Sequence, residues 1–251
     1  MIALKTKDWQ IDDIEAVLFD KDGTFIDLHY FWGRMTELRS KKIIELYGLN
    51  PDILPLLCLK LGYDINSSKM LSDGITAMYS RQKIIEIFSK DLLEFGIEIT
   101  HAQLAKIFDD VSEEFYKNMF EYTLPIGSAI DFIKKLKKKN IKTAVVTSDS
   151  IISTKLTLEH FGWQNLFDFS VGRESSPKTK ESGALVEIVL QELNLNPKKT
   201  IMIGDAPMDF FAAKNAGVKR TILVSTGQIS KEKLLETSPY VVENLSEIEI
   251  I

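Results

Sequence analysis

Short runs of apolar residues alternate with helix-length amphipathic segments over most of this chain. The apolar runs lie at residues 16–19, 143–146, 167–171, 200–203, 221–224 and 240–242. An unbroken run such as 16–19 is typical of a strand buried on both faces of a parallel sheet. Segments with helical spacing separate the later runs, at about 130–136, 150–160, 185–193, 207–216 and near 234. This alternation predicts an α/β fold with a doubly wound, mostly parallel sheet and helices on both faces.

A different pattern, with helical spacing and no convincing strand, extends from about residue 30 to residue 122. It predicts helices at about 30–46, 51–62 and 74–95. Thr100 and Gln103 form the sequence signature of a capping box, which predicts a further helix through Phe115. We therefore expect a smaller all-helical domain at 30–122, inserted after the first strand, and an α/β core formed by residues 1–29 and 123–251.

The composition is that of an ordinary globular protein, with 251 residues, 45% of them hydrophobic and 27% charged. The formal net charge is -5, so nothing electrostatic favours nucleic acid or an anionic membrane as a partner. Cys58 is the only cysteine, which excludes an intrachain disulfide, and its apolar surroundings favour a buried, unreactive thiol. Because there is no signal segment and no apolar run of about 18 residues, we expect a cytoplasmic protein, either a monomer or a homodimer.

Two carboxylates, Asp20 and Asp22, stand where the first apolar run ends. Side by side they repel unless a divalent cation neutralises them or one of them stays protonated. Their spacing allows Asp20 to act as a nucleophile and Asp22 as a general acid and base. Gly23 permits a sharp turn, and the Thr24 hydroxyl is expected to hold that turn by bonding local backbone groups. The alternative is a solvated turn, since Asp and Gly are common turn residues.

Other polar side chains also follow apolar runs or lie in the intervening loops. They are Thr147, Ser148, Asp205 and Asp209, with Lys178 and Lys180 in a loop. If the sheet is parallel, these strand ends meet at one edge, where ligands bind in open α/β sheets. Carboxylates from two strand ends can hold Mg²⁺, and a hydroxyl with a lysine can bind a phosphoryl group. The hydroxyls and acids could instead be helix caps or first-turn acids.

In these residues the chain resembles the haloacid dehalogenase superfamily, and specifically its phosphatases with a helical cap inserted after the first motif. The resemblance rests on the segment Asp20-Lys21-Asp22-Gly23-Thr24, on Thr147 after Val145-Val146, on a lysine near 180, and on Gly204-Asp205 with Asp209. It implies a Rossmann-like core in which Asp20 is the nucleophile, Asp22 the acid and base, and Thr147 the phosphate binder. It also implies Mg²⁺ held by Asp20, the backbone carbonyl of Asp22, and Asp205. Ser148, Gly23 and Lys180 are the further candidates for binding phosphate or substrate.

The implied activity is that of a Mg²⁺-dependent phosphatase of a small phosphorylated metabolite, of the phosphoglycolate or sugar phosphate class. The alternatives are a phosphomutase of the same fold and a catalytically silent binding scaffold. Dehalogenation is disfavoured because it needs neither a second acid at Asp22 nor a metal-binding acid at Asp205.

The chain departs from the family's usual pattern at two lysines. The usual lysine motif is followed by proline, whereas here the sequence is Pro177-Lys178-Thr179-Lys180-Glu181. Counting back from Gly204 favours Lys180, and Lys178 is the alternative. Lys21 stands where the family usually has an apolar side chain, and strand alternation predicts that it turns away from the two acids, towards another acidic partner. His29, Tyr30, Arg34 and the loop at 72–74 are further candidates to face a substrate.

Overall fold

The computed structural model describes residues 1–251, which form eleven strands and ten α-helices. In chain order the strands are β1 (Ile2–Lys5), β2 (Gln10–Ile14), β3 (Ala16–Phe19), β4 (Tyr63–Asp64), β5 (Lys69–Met70), β6 (Lys142–Val146), β7 (Phe169–Val171), β8 (Thr200–Gly204), β9 (Arg220–Val224), β10 (Val241–Val242) and β11 (Glu249–Ile250). The helices are α1 (Leu28–Tyr47), α2 (Leu54–Lys60), α3 (Ile75–Met78), α4 (Arg81–Asp91), α5 (His101–Lys117), α6 (Gly127–Lys138), α7 (Ile151–His160), α8 (Ala184–Glu192), α9 (Pro207–Asn215) and α10 (Lys231–Leu235).

The central sheet has six parallel strands in the order β10-β9-β8-β3-β6-β7. β3 lies between β8 and β6, and Phe19 at its end pairs with Ile203 on one side and Val145 on the other. From β3 the chain first adds β6 and β7 on one side, and then returns to add β8, β9 and β10 on the other. The direction of winding therefore reverses beside the carboxyl end of β3, which is where ligands bind in folds of this type. The predicted α/β fold is confirmed.

Apolar layers cover both faces of this sheet. On one face Leu18, Val146 and Met202 pack against buried residues of α8 and α9. On the other face the Phe19 ring lies edge-on to Phe132 of α6 and to Phe167, with centroids 6.5 and 6.2 Å away. All four residues of β3 are buried, as their unbroken apolar run predicts, so the segment that follows β3 is anchored by the core.

The chain divides into two compact units. One comprises Met1–Asp27 and Pro125–Ile251 and contains the parallel sheet, and the other is Leu28–Leu124. The second unit has its own apolar core, formed by residues of α1, α2, α4 and α5 such as Ile43, Leu57, Phe88 and Phe108. None of the helices in the structure combines the length and apolar character needed to cross a bilayer.

Within Leu28–Leu124 the structure differs from the predicted pattern in two places. The long helix expected at 74–95 is interrupted, because Tyr79 is extended and Ser80 begins a new helix by accepting a hydrogen bond from the Lys83 amide. Strands β4 and β5 form a short antiparallel ribbon, so the unit is not entirely helical. The capping box of Thr100 and Gln103 at the start of α5 is confirmed.

A three-stranded sheet in the order β11-β1-β2 was not predicted. Its strands run antiparallel, and β1, near the first residue, pairs with β11, near the last. The register of β1 and β2 shifts between Ile2 and Leu4, and Asp13 of β2 has a left-handed φ of 58°. This irregularity breaks the period-two alternation by which an exposed strand is recognised in a sequence.

Candidate active site

The segment after β3 forms a tight turn held by its own backbone. The carbonyl of Lys21 accepts hydrogen bonds from the amides of Thr24, Phe25 and Ile26, and the Gly23 amide donates to Ile26. Gly23 has φ of +84°, a left-handed conformation that glycine adopts at little cost. The expectation that the Thr24 hydroxyl holds the turn is wrong, because this buried Oγ1 has no hydrogen-bond partner. The Gly23 amide already donates to the Ile26 carbonyl, so the contribution of Gly23 to the site is the turn itself.

Three buried carboxylates from two strand ends meet at this turn. Asp20 follows β3, Asp205 follows β8, and Asp209 lies in the first turn of α9. One oxygen from each lies within 4.8 Å of the others, a spacing that suits a shared cation. The two strands are direct neighbours, and the Asp20 amide donates to the carbonyl of Ile203, so the register of the sheet brings these acids together.

Lys180 is the cation within this group. Its Nζ lies 2.6 Å from Asp20 Oδ1 and 2.5 Å from Asp209 Oδ1, and its residue is 5% exposed. Lys178 is exposed. The structure therefore brings Lys180, the preferred of the two candidate lysines, to the acids and leaves Lys178 at the surface. Asp209 also accepts from the Ala206 amide at 3.1 Å, so it caps α9 and pairs with Lys180 at the same time.

The electrostatics of the group favour binding of positive charge. Burial raises the pKa of Asp20 to about 6, and Asp209 adds to the rise while Lys180 opposes it. The pKa of Asp205 is raised well above its ordinary value by burial and by the charges of Asp20 and Asp209. Burial alone would lower the pKa of Lys180, but Asp20 and Asp209 outweigh it and raise the pKa. Lys180 pairs with Asp20 and Asp209 and not with Asp205.

Asp205 occupies a space that exists because its neighbours are glycines. A Cβ added at Gly23 would lie 2.3 Å from Asp205 Oδ2, and one added at Gly227 would lie 1.7 Å from the same atom. Thr226, beside Gly227, donates from its hydroxyl to the carbonyl of Gly23. Sequence reasoning missed Thr226 and Gly227, although they follow the apolar run of β9 just as the other candidates follow theirs.

Asp22 is paired with a buried lysine that is adjacent to it in the chain. Lys21 Nζ lies 2.7 Å from Asp22 Oδ1 and 2.9 Å from Asp149 Oδ2. The prediction that Lys21 turns away from the Asp22 side is wrong, and the prediction of a further acidic partner is confirmed by Asp149. Burial raises the pKa of Asp22 to about 6, against the opposing charge of Lys21. Asp149 is not singled out by the sequence, in which it lies between the apolar run at 143–146 and the helix expected from 150.

The loop after β6 carries the predicted hydroxyls. Thr147 is buried, its amide donates to Val171, and its Oγ1 accepts from the Asp149 amide at 3.0 Å. Ser148 is exposed, and its Oγ lies 3.3 Å from the sulfur of Met208. Neither residue caps α7, because Ser150 accepts the capping hydrogen bond from the Ser153 amide. The cap interpretation of Thr147 and Ser148 is therefore wrong.

The candidates in the Leu28–Leu124 unit make contacts within that unit. His29 Nδ1 accepts from the Met70 amide at 3.1 Å, and the Tyr30 hydroxyl donates to the carbonyl of Glu121 at 3.0 Å. Arg34 pairs with Glu37 at 2.7 Å. In the loop at 72–74, Gly74 lies against Gly62, where an added Cβ would come within 2.5 Å of the Gly62 Cα. That these residues face a substrate stays a prediction.

Cys58 is the free cysteine of the same unit. It is fully buried, and burial raises the pKa of its thiol to about 11. The expected burial of this cysteine is confirmed, and a thiol with a raised pKa is a poor nucleophile.

A family model described as haloacid dehalogenase-like hydrolase matches residues 14–217, which is most of the chain. The chain belongs to the haloacid dehalogenase-like hydrolase family. The matched range begins just before β3 and ends after α9, so it includes the acids, the lysine and the two hydroxyls that the sequence predicted, which are Asp20, Asp22, Asp205, Asp209, Lys180, Thr147 and Ser148.

Individual relatives and solved structures cover nearly the whole chain. A phosphoglycolate phosphatase of Psychrobacter arcticus is 30% identical over 232 residues, which are 90% of each chain. A phosphorylated carbohydrates phosphatase of Thermotoga maritima is 24% identical over 207 residues, covering 82% of this chain and 83% of that one. A crystal structure from Haemophilus somnus, described as a predicted phosphoglycolate phosphatase, matches with a TM-score of 0.73 at 16% identity and covers 94% of this chain and 97% of its own. At that identity the match establishes the shared fold.

Proposed function

We propose that this member of the family is a Mg²⁺-dependent phosphatase of small phosphorylated metabolites, working through an aspartyl-phosphate on Asp20. The observation that carries the proposal is the buried group of Asp20, Asp205 and Asp209, with oxygens within 4.8 Å of one another. Lys180 lies 2.6 Å from Asp20, where it can bind the phosphoryl group that Asp20 attacks. Acids, a lysine and a hydroxyl at the switch point of a parallel sheet form a suitable site for phosphoryl transfer.

The residues present fit a divalent cation in donor type and in charge. Mg²⁺ prefers carboxylate and carbonyl oxygens. Three buried carboxylates face a single lysine, which leaves two negative charges for a cation to neutralise. Asp20, Asp205 and the backbone carbonyl of Asp22 would hold the ion, and Asp209 would support Lys180. When bound, Mg²⁺ would offset the charge of the transferring phosphoryl group.

The protein's own residues account for both halves of the reaction. A carboxylate oxygen of Asp20 forms a bond to phosphorus while the bond from phosphorus to the leaving oxygen breaks. Asp22 gives a proton to that leaving oxygen. It then accepts a proton from the water that attacks the aspartyl-phosphate, which releases inorganic phosphate and restores Asp20. A pKa of about 6 suits a group that both gives and takes a proton near neutral pH. Thr147, Ser148 and Lys180 bind the phosphoryl oxygens.

The relatives support the reaction and suggest the class of substrate. By their names, one acts on phosphoglycolate and another on phosphorylated carbohydrates. Both are small phosphate monoesters, and we extend that class to this chain. We also propose that the Leu28–Leu124 unit serves as a cap that excludes bulk water and selects the leaving group.

The test is phosphate release from a panel of phosphoglycolate, sugar phosphates and pyrophosphate, with Mg²⁺ and with a chelator. The wild type is expected to release phosphate from at least one monoester only when Mg²⁺ is present. Asp20→Asn, which keeps the shape of the side chain, is expected to be folded and inactive. Isomerisation of a sugar phosphate without release would identify a phosphomutase. No release by a folded wild type would leave the binding scaffold as the function.

A further inference from the structure

The buried Lys21 links two loops of the site and lies outside the reaction described above. Its residue is 0% exposed, and its Nζ lies between Asp22 Oδ1 at 2.7 Å and Asp149 Oδ2 at 2.9 Å. A buried ammonium is costly unless it is paired in good geometry, and a buried pair is often no more stabilising than an apolar side chain of similar volume. A structural need for this lysine in the core is therefore a weak explanation.

Asp149 is held rigidly by its surroundings. Its Oδ1 accepts from the Ser150 amide at 2.7 Å, and its own amide donates to Thr147 Oγ1 at 3.0 Å. Its carbonyl accepts from the Arg173 amide at 3.0 Å. Gly172 lies so close that an added Cβ would come within 2.7 Å of that carbonyl. Lys21 thus connects the loop after β3, which carries Asp22, to a fixed point in the loop after β6, which carries Thr147.

We propose that the ion pair of Lys21 and Asp149 positions the Asp22 carboxylate in the proposed phosphatase reaction. Lys21 engages Oδ1 of Asp22, so the orientation of the carboxylate is fixed and Oδ2 is presented to the leaving oxygen. Lys21 transfers no proton. Asp22 Oδ2 delivers the proton to the leaving oxygen as the bond from Asp20 to phosphorus forms and the bond to that oxygen breaks. The inference rests on the proposed function.

A positioning role predicts that the damage depends on the leaving group. A 4-nitrophenolate leaves without help from an acid, whereas the alkoxide of an alkyl phosphate needs a proton. In single-turnover rapid-quench measurements of phosphoenzyme formation, Lys21→Met is expected to slow the reaction of an alkyl phosphate about 100-fold and that of 4-nitrophenyl phosphate less than about threefold. Lys21→Arg, which keeps the positive charge, is expected to recover part of the alkyl phosphate rate.

Two further variants separate positioning from general damage. Asp149→Asn keeps the shape of the side chain and its hydrogen bond from Ser150, and is expected to show the same dependence on the leaving group. Combined with Lys21→Met, it should add little further loss of rate, because both substitutions break the same ion pair. Lys137→Met removes another lysine of the same unit, one that pairs with Asp168 at 2.8 Å, and is expected to leave both rates unchanged.

Equal losses on the two substrates, or a loss of thermal stability with unchanged rates, would overturn the inference. If Lys21→Met does not fold, Asp149→Asn alone decides. Equal losses on both substrates in Asp149→Asn, or lost stability with unchanged rates, would then overturn the inference. A wild type that forms no phosphoenzyme with either substrate in Mg²⁺ would instead overturn the proposed function. The two failures are therefore distinguishable.

Discussion

Replacing Gly23 with alanine tests whether the turn after β3 makes room for Asp205. Gly23 has φ of +84°, and an added Cβ would lie 2.3 Å from Asp205 Oδ2 and 2.5 Å from its Cγ. Ordinary van der Waals contact begins at 3.4 Å, so the carboxylate or the turn must shift by about 1 Å. A displacement of about 1 Å in a catalytic group costs on the order of 100-fold in rate, or about 2.7 kcal/mol of barrier.

Gly162→Ala is the matched control for the backbone cost. Gly162 lies in the same unit, has φ of +67°, and has nothing within 4 Å of an added Cβ. Gly162→Ala should lose roughly 1 kcal/mol of unfolding free energy, because a side chain in the left-handed region costs about 1–2 kcal/mol and the stiffer unfolded chain returns part of it. Gly23→Ala should lose at least as much, because its Cβ also overlaps Asp205. Urea unfolding measures this loss.

Initial rates of phosphate release over a range of Mg²⁺ concentrations measure the effect on the site. We expect Gly162→Ala to keep the wild-type rate and Mg²⁺ dependence. Gly23→Ala should lose on the order of 100-fold in maximal rate and need more Mg²⁺ for half-maximal activity. A Gly23→Ala rate within about threefold of the Gly162→Ala rate, at an unchanged Mg²⁺ dependence, would refute the reasoning.

Three other substitutions test a metal-binding acid, the choice between two lysines, and an ion pair outside the site. Asp205→Asn should raise the Mg²⁺ concentration for half-maximal activity roughly tenfold or more in rate titrations, and an unchanged value would contradict its role. Lys180→Met should lower kcat by about 100-fold or more, whereas Lys178→Met, at the surface, should keep it; equal kcat values would count against the assignment. Burial alone would raise the pKa of Asp168, but the Lys137 ammonium and the Thr143 amide together hold it below its ordinary value. A lowered pKa stabilises the fold above the unfolded value of 3.8, so Asp168→Asn should cost about 1 kcal/mol in urea unfolding at pH 7 and progressively less below about pH 4. A cost that does not change with pH would show that the charge is not responsible.

The sequence predicts the core strands well because their signal is local. The apolar runs at 16–19, 143–146 and 200–203 correspond to β3, β6 and β8 to within one residue at either end. Parallel neighbours deliver their carboxyl ends to one edge, so Asp20, Thr147 and Asp205 could be expected at the same edge of the sheet without coordinates. Counting back from Gly204 already favours Lys180 over Lys178, and the fold decides between them by burying Lys180 beside the acids and leaving Lys178 exposed.

Features that depend on distant partners could not be predicted. β1 pairs with β11, at the opposite end of the chain, and the irregular register of β1 and β2 hides their alternation. The direction of the Lys21 side chain is another feature that depends on the rest of the fold. Strand alternation applies only as far as Phe19, and beyond it the turn, with three amides bonded to the Lys21 carbonyl, brings this side chain back to Asp22 and across to Asp149.

The most direct test of phosphoryl transfer through Asp20 is to trap the phosphorylated protein. Acid quenching during turnover of a labelled phosphate monoester with Mg²⁺ should yield labelled wild-type protein. Asp22→Asn should retain more label, because it cannot activate the attacking water. Borohydride reduction and peptide mass spectrometry should then locate the modification at residue 20. Release of phosphate without any labelled protein in either form, or label on another residue, would contradict the account.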